Sequence, residues 1–124
     1  MSRVLAGSLP AVTYPEALRV IAARRWRWCS AFSLFYAEGH ARRGDVTATA
    51  GMMARATVQT AHAVAASRAE WVLNDKQLVD GTGLAGAHEV LGACGTDPVA
   101  AVAELRRLLD PPRLAELDRA SPAG

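Results

Sequence analysis

A chain of 124 residues, half of them apolar, is long enough for one domain with a core of its own and too short for two. A net charge of +2 gives no electrostatic case for a nucleic-acid or membrane partner. The two cysteines, Cys29 and Cys94, lack the short spacing of a metal pair and read as reduced thiols.

Aromatic residues are scarce and alanine is the commonest residue, so the composition favours helices that approach closely. An all-α, up-down bundle of about four to six helices is expected. Arg55, His62 and Arg68 interrupt the most apolar segment, which rules it out as a membrane span of roughly 20 apolar residues. With no apolar export signal near the start, the expectation is a soluble cytoplasmic protein without a cofactor.

Residues 1–12 show no periodicity and read as a flexible lead-in; 13–120 form the expected bundle, and 121–124 a tail. Thr13 followed three places later by Glu16 fits a capping box, starting the first helix there. Ile21, Trp28, Phe32 and Phe35 share one face of that helix, which the hydrophobic pattern turns towards the core. Arg24 and Arg25 sit beside the face and suggest a break near them.

Arg43-Gly44-Asp45 supplies a cation, a left-handed stop and a cap, and so a tight corner. The next helix, Val46 to about Leu73, is nearly uncharged and rich in small residues such as Ala48, Ala50, Gly51, Ala54 and Ala63, as suits a central position. A short helix is expected over Lys76 to Val79, another over Leu84 to Ala93, and one from the Asp97-Pro98 pair through Leu109 with Val99, Val102, Leu105 and Leu109 inward. Pro111-Pro112 ends it, and a last short helix spans Arg113 to Arg119.

Three constellations carry possible chemistry. Arg55, Gln59 and His62 line one stripe of the central helix, where they either bond neighbouring helices or face a ligand. Arg55 and His62 also fit the loose arginine–histidine spacing of the helical ribonucleases of the higher-eukaryote and prokaryote nucleotide-binding type, with His62 as acid or base and Arg55 as phosphate holder. Among so many arginines, about one such pair arises by chance. Arg24, Trp26 and Arg27 interleave cations with an indole about 160° from the apolar stripe on a helix, and read as a docking surface for self-association or another protein. Lys76, the sole lysine, stands at a helix start where it either contacts a phosphate or is merely solvated.

Taken together, Trp28 with Phe32-Ser33-Leu34, then Gly44-Asp45-Val46, Ala50-Gly51, Arg55, Gln59, Trp71 and Asn74-Asp75-Lys76 resemble, from Thr13 to about Asp110, the helical C-terminal domain of bacterial nucleotidyltransferase-like proteins of the kanamycin type. The resemblance implies a substrate-side wall built from Arg55, Gln59, Asn74, Asp75 and Lys76, and a dimer contact. It also implies a partner, a nucleotidyltransferase catalytic domain carrying a Gly-Ser motif and paired aspartates. This chain has no Asp-x-Asp, and Cys29 and Ala31 stand where relatives carry acids after the tryptophan. Two-metal nucleotidyl transfer needs converging carboxylates, so the expectation is a non-catalytic helper.

Overall fold

The computed structural model describes residues 15–72 and 77–110. They form five helices and, among the described residues, no strand: α1 (Glu16–Arg42), α2 (Val46–Ser67), α3 (Leu78–Gly81), α4 (Gly86–Gly92) and α5 (Pro98–Leu108). The all-α bundle read from composition and periodicity is what the chain forms. The expected Arg113–Arg119 helix, the lead-in and the tail lie outside the described residues.

α1 starts after Pro15, which takes an extended conformation and caps with no side chain. Of the expected capping box only Glu16 is described: its carboxylate binds the Arg19 guanidinium, and that bond holds its carboxyl below the usual range. Thr13 itself lies outside the described residues. The helix then runs unbroken through Arg24 and Arg25, correcting the expected break. Both side chains reach into solvent, and arginine is a good helix former, so nothing at this point interrupts the backbone.

The corner after α1 matches its sequence signals. Gly44 adopts a left-handed φ of 75°, and the Asp45 carboxylate accepts from the Ala48 amide at 3.0 Å. α2 folds back antiparallel: its early residues lie near the end of α1, and its last ones near the start, where Arg19 Nη1 donates to the Ser67 carbonyl at 3.1 Å. α2 also touches α3, α4 and α5, so its central place is borne out. It stops at Ser67, short of the expected Leu73. Ala69 turns left-handed at φ 58°, and the Ala69 and Glu70 amides donate back to Ala66 and Ala65.

The largest correction concerns which face of α1 turns inward. Ser30, Ser33, Leu34, Ala37 and Ala41 are the buried stripe, and they lie against α2. Ile21, Trp28, Phe32 and Phe35, the residues expected in the core, are exposed. α2 has Met53, Ala56, Thr57, Thr60 and Ala61 buried, and it meets Ser30 of α1 with Ala56 and Thr60; apart from Leu34 the stripe on α1 is of small side chains, which suits a close approach. The Ser30 hydroxyl then bonds the Ala56 carbonyl at 3.1 Å and the Thr60 hydroxyl at 2.6 Å, which removes the cost of burying those hydroxyls.

α3 begins two residues later than expected, after Gln77 in a left-handed conformation, and α4 is shorter than expected, with Leu84 fully buried in the turn before it. α5 opens on Asp97, whose carboxylate accepts from the Ala100 amide at 3.1 Å, with Pro98 in its first turn. Ala101, Val102, Leu105 and Leu109 face inward. Val99, expected among them, is exposed because Ala101 takes the inward position of that first turn. Leu34, Met53, Val64, Leu84, Val102 and Leu105 form the heart of the core, and a Glu38–Arg106 ion pair at 2.9 Å ties α5 to α1 at the surface.

Two substitutions test this packing by chemical denaturation. Leu105→Ala should cost about 2–5 kcal/mol through the cavity it leaves. Ala69→Gly should instead stabilise the chain, by on the order of 1 kcal/mol, because glycine relieves the left-handed strain at the end of α2; a loss of stability there would refute the turn geometry.

Candidate functional site

The two helices α1 and α2 organise everything of functional interest, because each side of their shared seam presents different chemistry. On one side, Gln59 and His62 emerge beside α1. Gln59 Oε1 accepts from the Ser33 hydroxyl at 2.6 Å. The His62 ring stacks on Trp26, with centroids 4.3 Å apart and planes 15° from parallel. Arg55, one turn before Gln59, is exposed.

The stripe predicted from sequence is thus present as a stripe, with its members in separate employment. Gln59 is engaged in joining helices, as is the Trp26 indole that sequence spacing had assigned to docking. Arg55 and His62 are seven residues apart on one helix, a rise of about 10 Å, and the imidazole lies flat against an indole. Asn74, Asp75 and Lys76, the other residues assigned to a substrate side, fall outside the described residues.

On the other side of the seam, between α1, α2 and α5, lies a cleft of about 570 Å³. Arg27, Ser30, Thr60, Arg106, Arg107 and Asp110 are the polar residues lining it, with Leu34 and Leu109 among the apolar ones. Arg27 Nε is buried there and has no hydrogen-bond partner among the described residues, a costly state for a donor on a charged group. Arg106 is held by Glu38, and Arg107 by Glu104 at 2.6 Å. The Arg42 and Arg106 guanidiniums keep the Glu38 carboxyl below its usual range. A cleft of this make-up suits a carboxylate or phosphate group, which guanidinium forks bind in two-point fashion.

Arg27, expected on a docking surface, lines this cleft instead, beside Arg106 and Arg107, which carry no functional signal in the sequence. Two basic residues in the last turn of α5 read only as complements to the helix dipole. Nothing local in the sequence brings residue 27 beside residue 106.

The third surface is the outer face of α1. Trp28, Phe35 and Ile21 are 64%, 67% and 63% exposed, and Phe32 and Tyr36 are exposed beside them. The rings form a continuous array: Trp28 meets Phe32 edge-on at 4.5 Å, Phe32 lies 6.3 Å from Tyr36, and Tyr36 meets Phe35 at 5.8 Å. Trp28, Phe32 and Phe35 lie about half a turn round the helix from Ser30 and Ala37, so this array faces directly away from α2. Arg24 and Arg25 flank it, exposed and without ion pairs among the described residues.

The cysteines differ in reach. Cys94 is buried, which pushes its thiol up from the usual value, whereas Cys29 is half-exposed at the edge of the aromatic face. Among the described residues no cluster of three or more histidine, cysteine or acidic side chains is placed to hold a metal ion, and no helix is long and apolar enough to cross a membrane. No family model, curated protein or solved structure matches the chain.

The stacked pair on the polar side has a measurable value. A double-mutant cycle with Trp26→Ala and His62→Ala should give a coupling of about 0.5–1.5 kcal/mol in unfolding free energy; a coupling of zero would show that the rings do not pack in solution.

Proposed function

We propose that this chain is a non-catalytic helical module that works by docking, with the outer face of α1 as its working surface. The observation that carries this reading is the array of Trp28, Phe32 and Phe35, exposed on the side of α1 opposite its buried stripe, with Tyr36 exposed at its edge. With about 150–250 Å² for each aromatic side chain and a little over half of that exposed on average, the four rings offer on the order of 400–500 Å² of apolar surface. That is near the most a monomer ordinarily exposes. Four rings held in mutual contact on the outside of a well-formed helix are matched to another surface, since they add nothing to this chain's own core.

The resemblance to the helical domain of nucleotidyltransferase-like proteins supplies the class: a substrate-side or dimerisation module, acting beside a nucleotidyltransferase domain or with its own kind. The catalytic carboxylates would come from that other domain. On this chain the substrate-side contribution falls to the arginine cleft, where Arg27 has a donor to spare, rather than to Gln59, whose carbonyl oxygen is engaged by Ser33.

The test has a chemical arm and a structural arm. Supplied with a nucleoside triphosphate and magnesium, the purified chain should transfer no nucleotide, and in chelator it should leave RNA intact. The Trp28→Ser/Phe35→Ser variant should keep the helical circular-dichroism signal and a monomer stability close to that of the parent chain. Turnover that disappears in His62→Ala would establish an enzyme. Unfolding of the double-serine variant would show that the rings serve this chain's own core. Either result overturns the docking reading.

A further inference from the structure

We infer that the occupant of the aromatic face is a second copy of this chain, with the two α1 helices packed antiparallel so that Trp28 of each copy lies against Phe32 of the other. This rests on the docking reading above and adds the partner and its register.

The spacing on the face is that of a coiled-coil seam. Leu18, Ile21, Arg25, Trp28, Phe32 and Phe35 advance by alternating steps of three and four, and the same steps continue to Gly39 and Arg42. A two-stranded seam needs this repeat, averaging 3.5 residues. It is found on the side of α1 that faces away from its own bundle. A helix that packs only inside its bundle has no use for a second, outward seam.

The seam is complementary to itself in one antiparallel register. When Trp28 is set against Phe32 of the second copy, every other layer pairs without conflict. Ile21 meets Gly39, a bulky residue against a bare backbone. Arg25 meets Phe35, placing a guanidinium over a ring face and so giving the one charge in the middle of the seam an aromatic partner. Leu18 meets the aliphatic stem of Arg42. Each pair occurs twice about the two-fold axis, as a symmetric dimer requires.

The flanks agree with this register. In antiparallel helix pairs the residues bordering the seam on one side face their equivalents on the same side of the partner. On one border, Arg24 of each copy comes opposite Glu38 of the other, a carboxylate that also holds Arg42 and Arg106 of its own chain; Arg24 has no ion pair among the described residues of its own chain. On the other border, Tyr36 covers Ala22, and Cys29 comes opposite Cys29 of the second copy beside the two-fold axis. A parallel arrangement would instead set Arg25 against Arg25 in the seam.

The area is also of the right order. The four rings supply roughly half of the about 800 Å² per partner of a standard interface. Leu18, Ile21 and the arginine stems extend it along a helix of 27 residues.

The test measures mass, register and the contribution of the face on the full chain. Light scattering at concentrations on the order of 10–100 µM should report a dimer. Phe32→Asp should raise its dissociation constant on the order of 100-fold or more, since each substitution enters the centre of the interface twice. Phe35→Asp, at a still more exposed position, should act in the same direction with the monomer fold intact by circular dichroism. A short bis-maleimide should link the dimer through Cys29, with buried Cys94 unlabelled, and Cys29→Ser should abolish the link. A monomer at all these concentrations overturns the second copy as occupant while leaving folded double-serine variants to speak for docking on another protein. A dimer indifferent to both aspartate substitutions overturns the face, and a dimer sensitive to them but not linked through Cys29 overturns the antiparallel register.

Discussion

The close approach of α1 to α2 is the constraint from which the remaining structure follows. It is made by small side chains on α1, with Ser30, Ser33, Ala37 and Ala41 along one stripe, set against Met53, Ala56 and Thr60 of α2. Two hydroxyls at the seam, on Ser30 and Thr60, find each other and a backbone carbonyl. Buried hydroxyls so satisfied are tolerated, and they fix how one helix sits along the other. Once α1 has committed its small face to this contact, geometry sends its rings outward. The exposed array is therefore the other half of one packing decision.

Much of the architecture was legible in the sequence because it is written in local signals. Gly44 and Asp45 specify a stop and a cap within three residues, and Asp97 with Pro98 specifies a start; both corners form as read. The facing of α1 was not legible by hydrophobicity, because apolar residues inside is a one-way rule and large exposed residues break no law. Two stripes are in fact present on α1, one aromatic and one of serine and alanine. Choosing between them requires knowing that α2 brings alanine and threonine to meet the second. The helix ends beyond Ser67 were also missed, because Ala69 takes a left-handed turn that composition does not mark.

The polar residues show a related limit. Arg55, Gln59 and His62 do share a stripe, as their spacing states, but sharing a stripe says nothing about what each meets across the gap. Ser33 engages Gln59, and Trp26 covers His62. Conversely, the arginine cleft joins residues nearly eighty positions apart, and its recognition depends on α5 returning to α1. Charge in this chain is thus placed by tertiary contacts, whereas helix identity is placed by neighbours in sequence.

The tight corner at Gly44 has a consequence in time. Because α1 and α2 are joined by so few residues, their contacts near the corner close short loops, for which the entropic cost is small and formation is fast. This hairpin contains the whole outward aromatic seam and the whole small-residue seam behind it. The proposed docking face lies wholly on α1, so it needs neither the return of α5 nor the assembly of the arginine cleft. Its formation is thus tied to contacts local in sequence, whereas the arginine cleft depends on contacts between residues far apart in the chain.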